Sequence, residues 1–172
     1  MVKHNYIRNI SNFIGAYCDF TNNIAHSINN LDNGYIEYNI LTSTNSYYAM
    51  NGCDNTTIIG NVIILWNSGP LSGGNCQTEM NMTGGSWGTD NINVSGKSWA
   101  DIFVNHAGVT PNSDYHFKGE YQQYNGQVGI YAGTGFSDSA LPPVPYIVAK
   151  QIPEQTDAEG KLNIKIRVRA GE

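Results

Sequence analysis

The sequence predicts an all-β fold of stacked strands, and three observations carry that prediction. Charged residues make up only 13% of the 172-residue chain, against about 25% in an ordinary globular protein. Asparagine is abundant and glycine contributes 19 residues; both tolerate the left-handed backbone of tight turns, whereas long exposed helices draw on Glu, Lys, Arg, Ala and Leu. Third, a short β-rich run followed by Asn and a branched apolar residue recurs, as YIRNI at 6–10, YIEYNI at 35–40 and TIIGNV at 57–62.

The recurrence organises the first part of the chain. Asn39 and Asn61 lie 22 residues apart, and Asn9 lies 30 before Asn39. A period near 22 with insertions is what stacked coils produce, since equivalent positions sit on one another from coil to coil. In this register Ile40 and Val62 stack inward as an apolar column beside a column of turn asparagines that includes Asn9. The segment between them supplies a second strand around Tyr47 to Met50 and a turn at NGCDN. The pattern is lost over the Gly-rich residues 66–90 and returns as a last strand in DNINVSG, 90–96.

After it comes WADIFVNHAGVTPNSDYHF, 99–117. Gly108 permits a bend, Thr110 and Pro111 have the residue types of a helix N-cap and first helical position, and Ile102, Phe103, Val104, Tyr115 and Phe117 offer apolar cover. A solenoid end needs such cover over its last strands. QVGIYAG at 127–133 reads as a short strand and LPPVP at 141–145 as a stiff extended connector. The chain closes in a predicted hairpin that pairs YIVAKQI with KLNIKIRVRA. Its second arm alternates Leu162, Ile164, Ile166 and Val168 with Lys161, Lys165, Arg167 and Arg169, one apolar and one cationic face.

NTTIIGNVI, from Asn55 to Ile63, resembles the N-x-T-I-x-x-N-x-I coils of right-handed parallel β-helix proteins of the pectin-lyase-like class. FVNHAGVTPNSDYHF is similar to the segment that follows the final coil in bacterial polysaccharide-processing members. The resemblance implies terminal coils and a cap over residues 1–118 and a strand-rich tail over 119–172. It also implies a polysaccharide partner and an extracellular or periplasmic location. A phage tailspike or fibre end, trimerising and contacting a glycan without cleaving it, is the alternative it leaves open. Because the chain begins mid-pattern, missing N-terminal coils or a homo-oligomer are expected to cover residues 1–15.

Composition narrows the chemistry. A net charge of −5 with nine Lys and Arg leaves no basic footprint for nucleic acid. The longest apolar run, TIIGNVIILW, is broken by Gly60 and Asn61, so no membrane span is predicted, and the N-terminus lacks the apolar stretch of a secretion signal. Cys18, Cys53 and Cys76 have no zinc-like spacing and are expected to be free thiols; Cys53 lies beside Asp54, whose charge raises a thiol pKa. The four histidines form no metal-ligand pair, no nucleophile elbow is present, and neither metal nor cofactor is expected.

Carbohydrate chemistry is what the resemblance implies. A glycoside hydrolase needs two facing carboxylates, for which Asp19, Glu37 and Asp54 are the candidates. Glu37, between Ile36 and Tyr38, is expected to point outward. A polysaccharide lyase needs a base near a uronate, and Lys3, His4, Arg8 and His26 are the nearby ones. Whether the protein is an enzyme stays open at this point. Tyr47, Tyr48, Trp66 and Trp87 are the expected sugar contacts, because flat aromatic faces suit pyranose rings.

Overall fold

The computed structural model describes residues 1–3, 5–13, 17–43, 49–64, 71–72, 74–85, 87, 89–106, 113–133, 135–136, 146–151, 159–162 and 164–169. The chain divides into two units, Met1–Phe136 and Ser137–Glu172. It is strand-rich, as predicted for an all-β protein. Among the described residues the helical pieces are one four-residue α-helix and one 3₁₀ turn.

Among its described residues the first unit opens with thirteen strands: β1 (Val2–Lys3), β2 (Tyr6–Phe13), β3 (Asp19–Thr21), β4 (Ile24–Leu31), β5 (Tyr35–Glu37), β6 (Ile40–Leu41), β7 (Met50–Asn51), β8 (Thr57–Ile59), β9 (Val62–Ile63), β10 (Leu71–Ser72), β11 (Gln77–Glu79), β12 (Met82–Thr83) and β13 (Ile92–Asn93). They form two sheets in which every pairing is parallel. The first sheet runs β1-β3-β5-β8-β11; the second runs β10-β7-β4-β6-β9-β12-β13, with β2 also on β4. The chain therefore returns repeatedly to both sheets, with β6–β7, β9–β10 and β12–β13 as consecutive strands of the second, and each strand from β3 to β13 pairs in parallel with one laid down earlier.

One triplet fixes the crossing from the first sheet to the second. A residue with positive φ (Asn22, Tyr38, Gly60, Met80) ends the first-sheet strand, an asparagine follows, and an apolar residue opens the next strand. The asparagines Asn5, Asn23, Asn39, Asn61, Asn81 and Asn91 stack in a ladder. Each Oδ1 accepts the backbone N–H of the asparagine one level before it, at 3.0, 2.8, 2.9, 3.0 and 3.0 Å. Their Nδ2 groups donate to strand carbonyls of the preceding level: Asn39 to Phe20, Asn61 to Ile36, Asn81 to Ile58. Buried amides are tolerated only when so satisfied.

The expected Asn39 and Asn61 equivalence is therefore present, but two details of the repeat differ. Asn9 is not in the column: it lies within β2 opposite Ser27, and the column member is Asn5. Nor is the register lost over 66–90, because β11, Asn81 and β12 carry it on. Successive ladder positions are offset by 18, 16, 22, 20 and 10 residues, so a search for a single period misses most of them.

Alternation along the strands builds two cores. Phe20, Ile36 and Ile58 of the first sheet meet Ala25, Leu41 and Ile63 of the second in an inner core. The preceding second-sheet residues, Ile24, Ile40, Val62 and Met82, face the other way, so Ile40 and Val62 stack as expected but outward, and their neighbours Leu41 and Ile63 take the inner positions. The outward-facing residues pack in a second core with Ile102, Phe103, Tyr115, Phe117, Val128 and Ile130. The residues after the last parallel strand therefore cover the outer face of the second sheet.

That covering segment begins with α1 (Trp99–Ile102), where Asp101 Oδ2 accepts from the Ser98 backbone N–H at 2.7 Å, half of a capping box. It continues as an antiparallel pair, β14 (Phe103–Asn105) and β15 (Asp114–Phe117), and a 3₁₀ turn at Gly119–Tyr124. The helix expected in TPNSDY is not found where the chain is described: Asp114 and Tyr115 are strand, and 107–112 lie outside the described residues. Of the five expected covering residues, Ile102, Phe103, Tyr115 and Phe117 are buried and Val104 is exposed. The expected strand at 127–133 is instead a run of turns that crosses the ladder turns, with Gly129 N donating to Gly60 O at 2.7 Å and Asn22 Nδ2 to Ala132 O at 2.9 Å.

The second unit contains the predicted hairpin, β16 (Tyr146–Gln151) antiparallel to β17 (Lys165–Arg169). Leu162, Ile164, Ile166 and Val168 are 46–55% exposed.

Candidate functional site

The outer face of the first sheet brings together two of the three predicted carboxylates, Asp19 and Glu37. With Phe20, Ile36 and Ile58 turned inward, their neighbours point out. One outward row runs Asp19, Tyr35, Thr57, Gln77; the other runs Lys3, Thr21, Glu37, Ile59, Glu79. Asp19 and Glu37 lie on adjacent strands, two residues apart along them, which sets their Cα atoms about 8 Å apart.

The electrostatics follow from this placement. Burial pushes the Glu37 carboxyl above its ordinary pKa, the charge of Asp19 pushes it further, and Lys3 partly offsets both. Asp19 Oδ1 and Thr21 Oγ1 are buried with no protein partner. A neighbouring pair of carboxyl groups, one with raised pKa, is the arrangement acid–base chemistry draws on.

Aromatic surface lies beside the carboxylates. Tyr17 and Tyr35 meet edge to face, ring centroids 5.8 Å apart, and both are exposed, Tyr17 by 68%. Farther along the same face, Thr57, Ile59, Gln77, Glu79, Met80 and Asp90 line an open groove of about 460 Å³. Sequence reasoning missed Tyr17, Tyr35, Gln77, Glu79 and Asp90. The alternation in YIE places Tyr35 and Glu37 on one face and was the available signal; Asp19 joins them only through a register no motif states.

The remaining predicted residues fall elsewhere. Asp54 lies in the turn before β8, where its backbone N–H donates to Asp32 Oδ1 at 3.1 Å and its own Oδ1 accepts from Gly74 N. It serves that turn and does not share a face with Asp19 and Glu37. Trp87 packs against the inner core, with its indole Nε1 buried and unpartnered. Tyr47, Tyr48 and Trp66 lie outside the described residues, as does His4. In the covering segment the near-parallel rings of Trp99, Phe103 and His106 form a triangle, with centroids 5.5, 5.1 and 6.5 Å apart. His116 Nδ1 lies 2.6 Å from Asp114 Oδ1, and its ring stacks on Tyr131.

All three cysteines are free thiols. Burial raises the Cys53 pKa to about 11. Among the described residues, no three His, Cys, Asp or Glu side chains are grouped to hold a metal ion, and no helix is long and apolar enough to cross a membrane. No family model matches the chain, and no curated protein or solved structure matches it.

Proposed function

We propose that the two parallel sheets are coils of a right-handed parallel β-helix, similar to the pectin-lyase-like class, and that the protein binds a polysaccharide along the outer face of its five-stranded sheet. The strand orders, in which each strand from β3 to β13 pairs in parallel with one laid down earlier, support the fold. Parallel crossovers are right-handed in about 98% of cases, which supports the hand. The observation that carries the function is the exposed Tyr17–Tyr35 pair beside Asp19 and Glu37 on one sheet face. Aromatic planes with adjacent hydrogen-bonding carboxylates suit the apolar faces and hydroxyl edges of sugar rings. A role outside the cytoplasm, in an exported bacterial protein, goes with such a ligand.

The test is a glycan array followed by titration of the best ligand, with wild-type protein and the variant Tyr17→Ala/Tyr35→Ala. Binding that falls on the order of tenfold in the variant is expected; unchanged binding, or no bound glycan, overturns the proposal. If cleavage accompanies binding, Glu37 is its proton donor, and Glu37→Gln keeps the ligand bound and uncut.

One observation favours a second reading, a tailspike or fibre end. The apolar residues Leu162, Ile164, Ile166 and Val168 are exposed on one arm of a two-stranded hairpin, and a lone hairpin is marginal in water. Trimerisation would cover them. Sedimentation as a monomer at tens of micromolar would remove this reading.

A further inference from the structure

The outer face of the five-stranded sheet is acidic. Asp19, Glu37 and Glu79 project from it, and Asp90 lines its groove, against two ammonium groups at its edge, Lys3 on β1 and the α-ammonium of Met1 just before it. The other cations of the first unit are not on this sheet. Arg8 lies on β2 in the second sheet, Lys97 pairs with Glu120 at 3.7 Å, and Lys118 precedes the 3₁₀ turn.

A second observation points to a ligand at the same face. Thr21, between Lys3 and Glu37 in the outward row, is 5% exposed, and neither its Oγ1 nor the buried Asp19 Oδ1 has a protein partner. Buried oxygens of this kind are seldom left unserved. Thr21 can both donate and accept, and the carboxylate only accepts, so together they suit a ligand rich in donors.

We propose that this face selects glycan units carrying free amino groups over units carrying carboxylates, a specificity that rests on the polysaccharide reading above. Glu37 and Glu79 share one row with Ile59 between them, two strand spacings or about 10 Å apart. A glycan running across the strands therefore passes a carboxylate at intervals. An ammonium group on the sugar pairs with these charges, whereas a uronate meets like charge at the same points. The polyuronate substrates that the pectin-lyase-like resemblance brings to mind are the ones this surface disfavours.

The experiment is calorimetric titration of the full chain with glucosamine, N-acetylglucosamine and galacturonic acid oligomers of equal length, at low and high salt. Glucosamine oligomers are expected to bind on the order of tenfold tighter than the neutral ones and galacturonic acid oligomers most weakly. The differences should shrink in high salt and in the variant Glu79→Gln/Asp90→Asn. Neutral or galacturonic acid oligomers binding as tightly as glucosamine oligomers overturns the charge selection and leaves the polysaccharide reading standing. Failure of all three to bind overturns both.

Discussion

Asn61 Oδ1 accepts two hydrogen bonds from Asn39, one from its backbone N–H and one from its side-chain Nδ2, each at 2.9 Å. The same Asn61 donates through Nδ2 to Ile36 O at 2.8 Å and Asn81 Oδ1 at 2.9 Å. One fully buried amide thus ties together three levels of the stack.

Replacing it is expected to cost more than an average hydrogen bond. Asn61→Ala leaves the buried Asn39 N–H and the Ile36 carbonyl without this partner, a loss of about 3 kcal/mol. Asn61→Asp costs more, because a carboxylate cannot donate to Ile36 O. Urea unfolding monitored by circular dichroism measures both, and a loss below about 1 kcal/mol for Asn61→Ala would show that the ladder is not what holds the register.

Gly34 and Gly74 make a matched pair. A Cβ on Gly34 would run into the backbone carbonyl of Cys18, whereas on Gly74 its nearest neighbour is Asp54 Oδ1 at 3.6 Å. Gly34→Ala is expected to destabilise by about 3 kcal/mol, and Gly74→Ala to stay within about 0.5 kcal/mol of wild type. Equal melting temperatures for the two variants would contradict the packing described at Gly34.

The raised pKa of Glu37 fixes the sign of a pH effect. Its carboxyl holds a proton more tightly in the folded chain than in the unfolded one. Its favourable contribution is therefore complete below the unfolded pKa and is lost as pH rises through the folded value. At neutral pH the charge opposes folding. Glu37→Gln should then raise the melting temperature near pH 7 and leave it unchanged near about pH 3; a fall at neutral pH would mean that the carboxylate is stabilised by its surroundings.

Thiol reactivity should follow burial. With its pKa near 11, Cys53 is both enclosed and protonated at neutral pH, while Cys76 is half-buried. Iodoacetamide at about pH 8 is expected to modify Cys76 first and Cys53 only on unfolding. Mass spectrometry resolves the order, and early modification of Cys53 would show that the inner core opens in the native state.

What could be read from the sequence was whatever repeats at short range. The alternation in β17 and the outward placement of Glu37 beside the buried Ile36 follow from a period of two; the hairpin forms, but a register shift between Ile147 and Ala149 that the pattern did not signal sets Lys150 opposite Ile166. The ladder was legible at Asn39 and Asn61. It was illegible at Asn5, Asn23, Asn81 and Asn91, because a hydrogen bond between levels fixes which residues stack but not how many lie between them. Helix α1 was missed for a different reason: four residues show no helical periodicity, although Ser98 and Asp101 were visible as a capping pair. At the site, Glu37 was identified from its own strand. Its relation to Asp19 depends on the 16-residue offset between two levels, and Tyr17 enters only through contact with Tyr35.

Since the ladder stays continuous across offsets as different as 10 and 22 residues, chain length and vertical position are uncoupled in this fold. A segment inserted between two crossings would lengthen one level without displacing those above and below it. The stack can therefore change what it displays at its edge while keeping its spine, and surface loops can be gained or lost one level at a time.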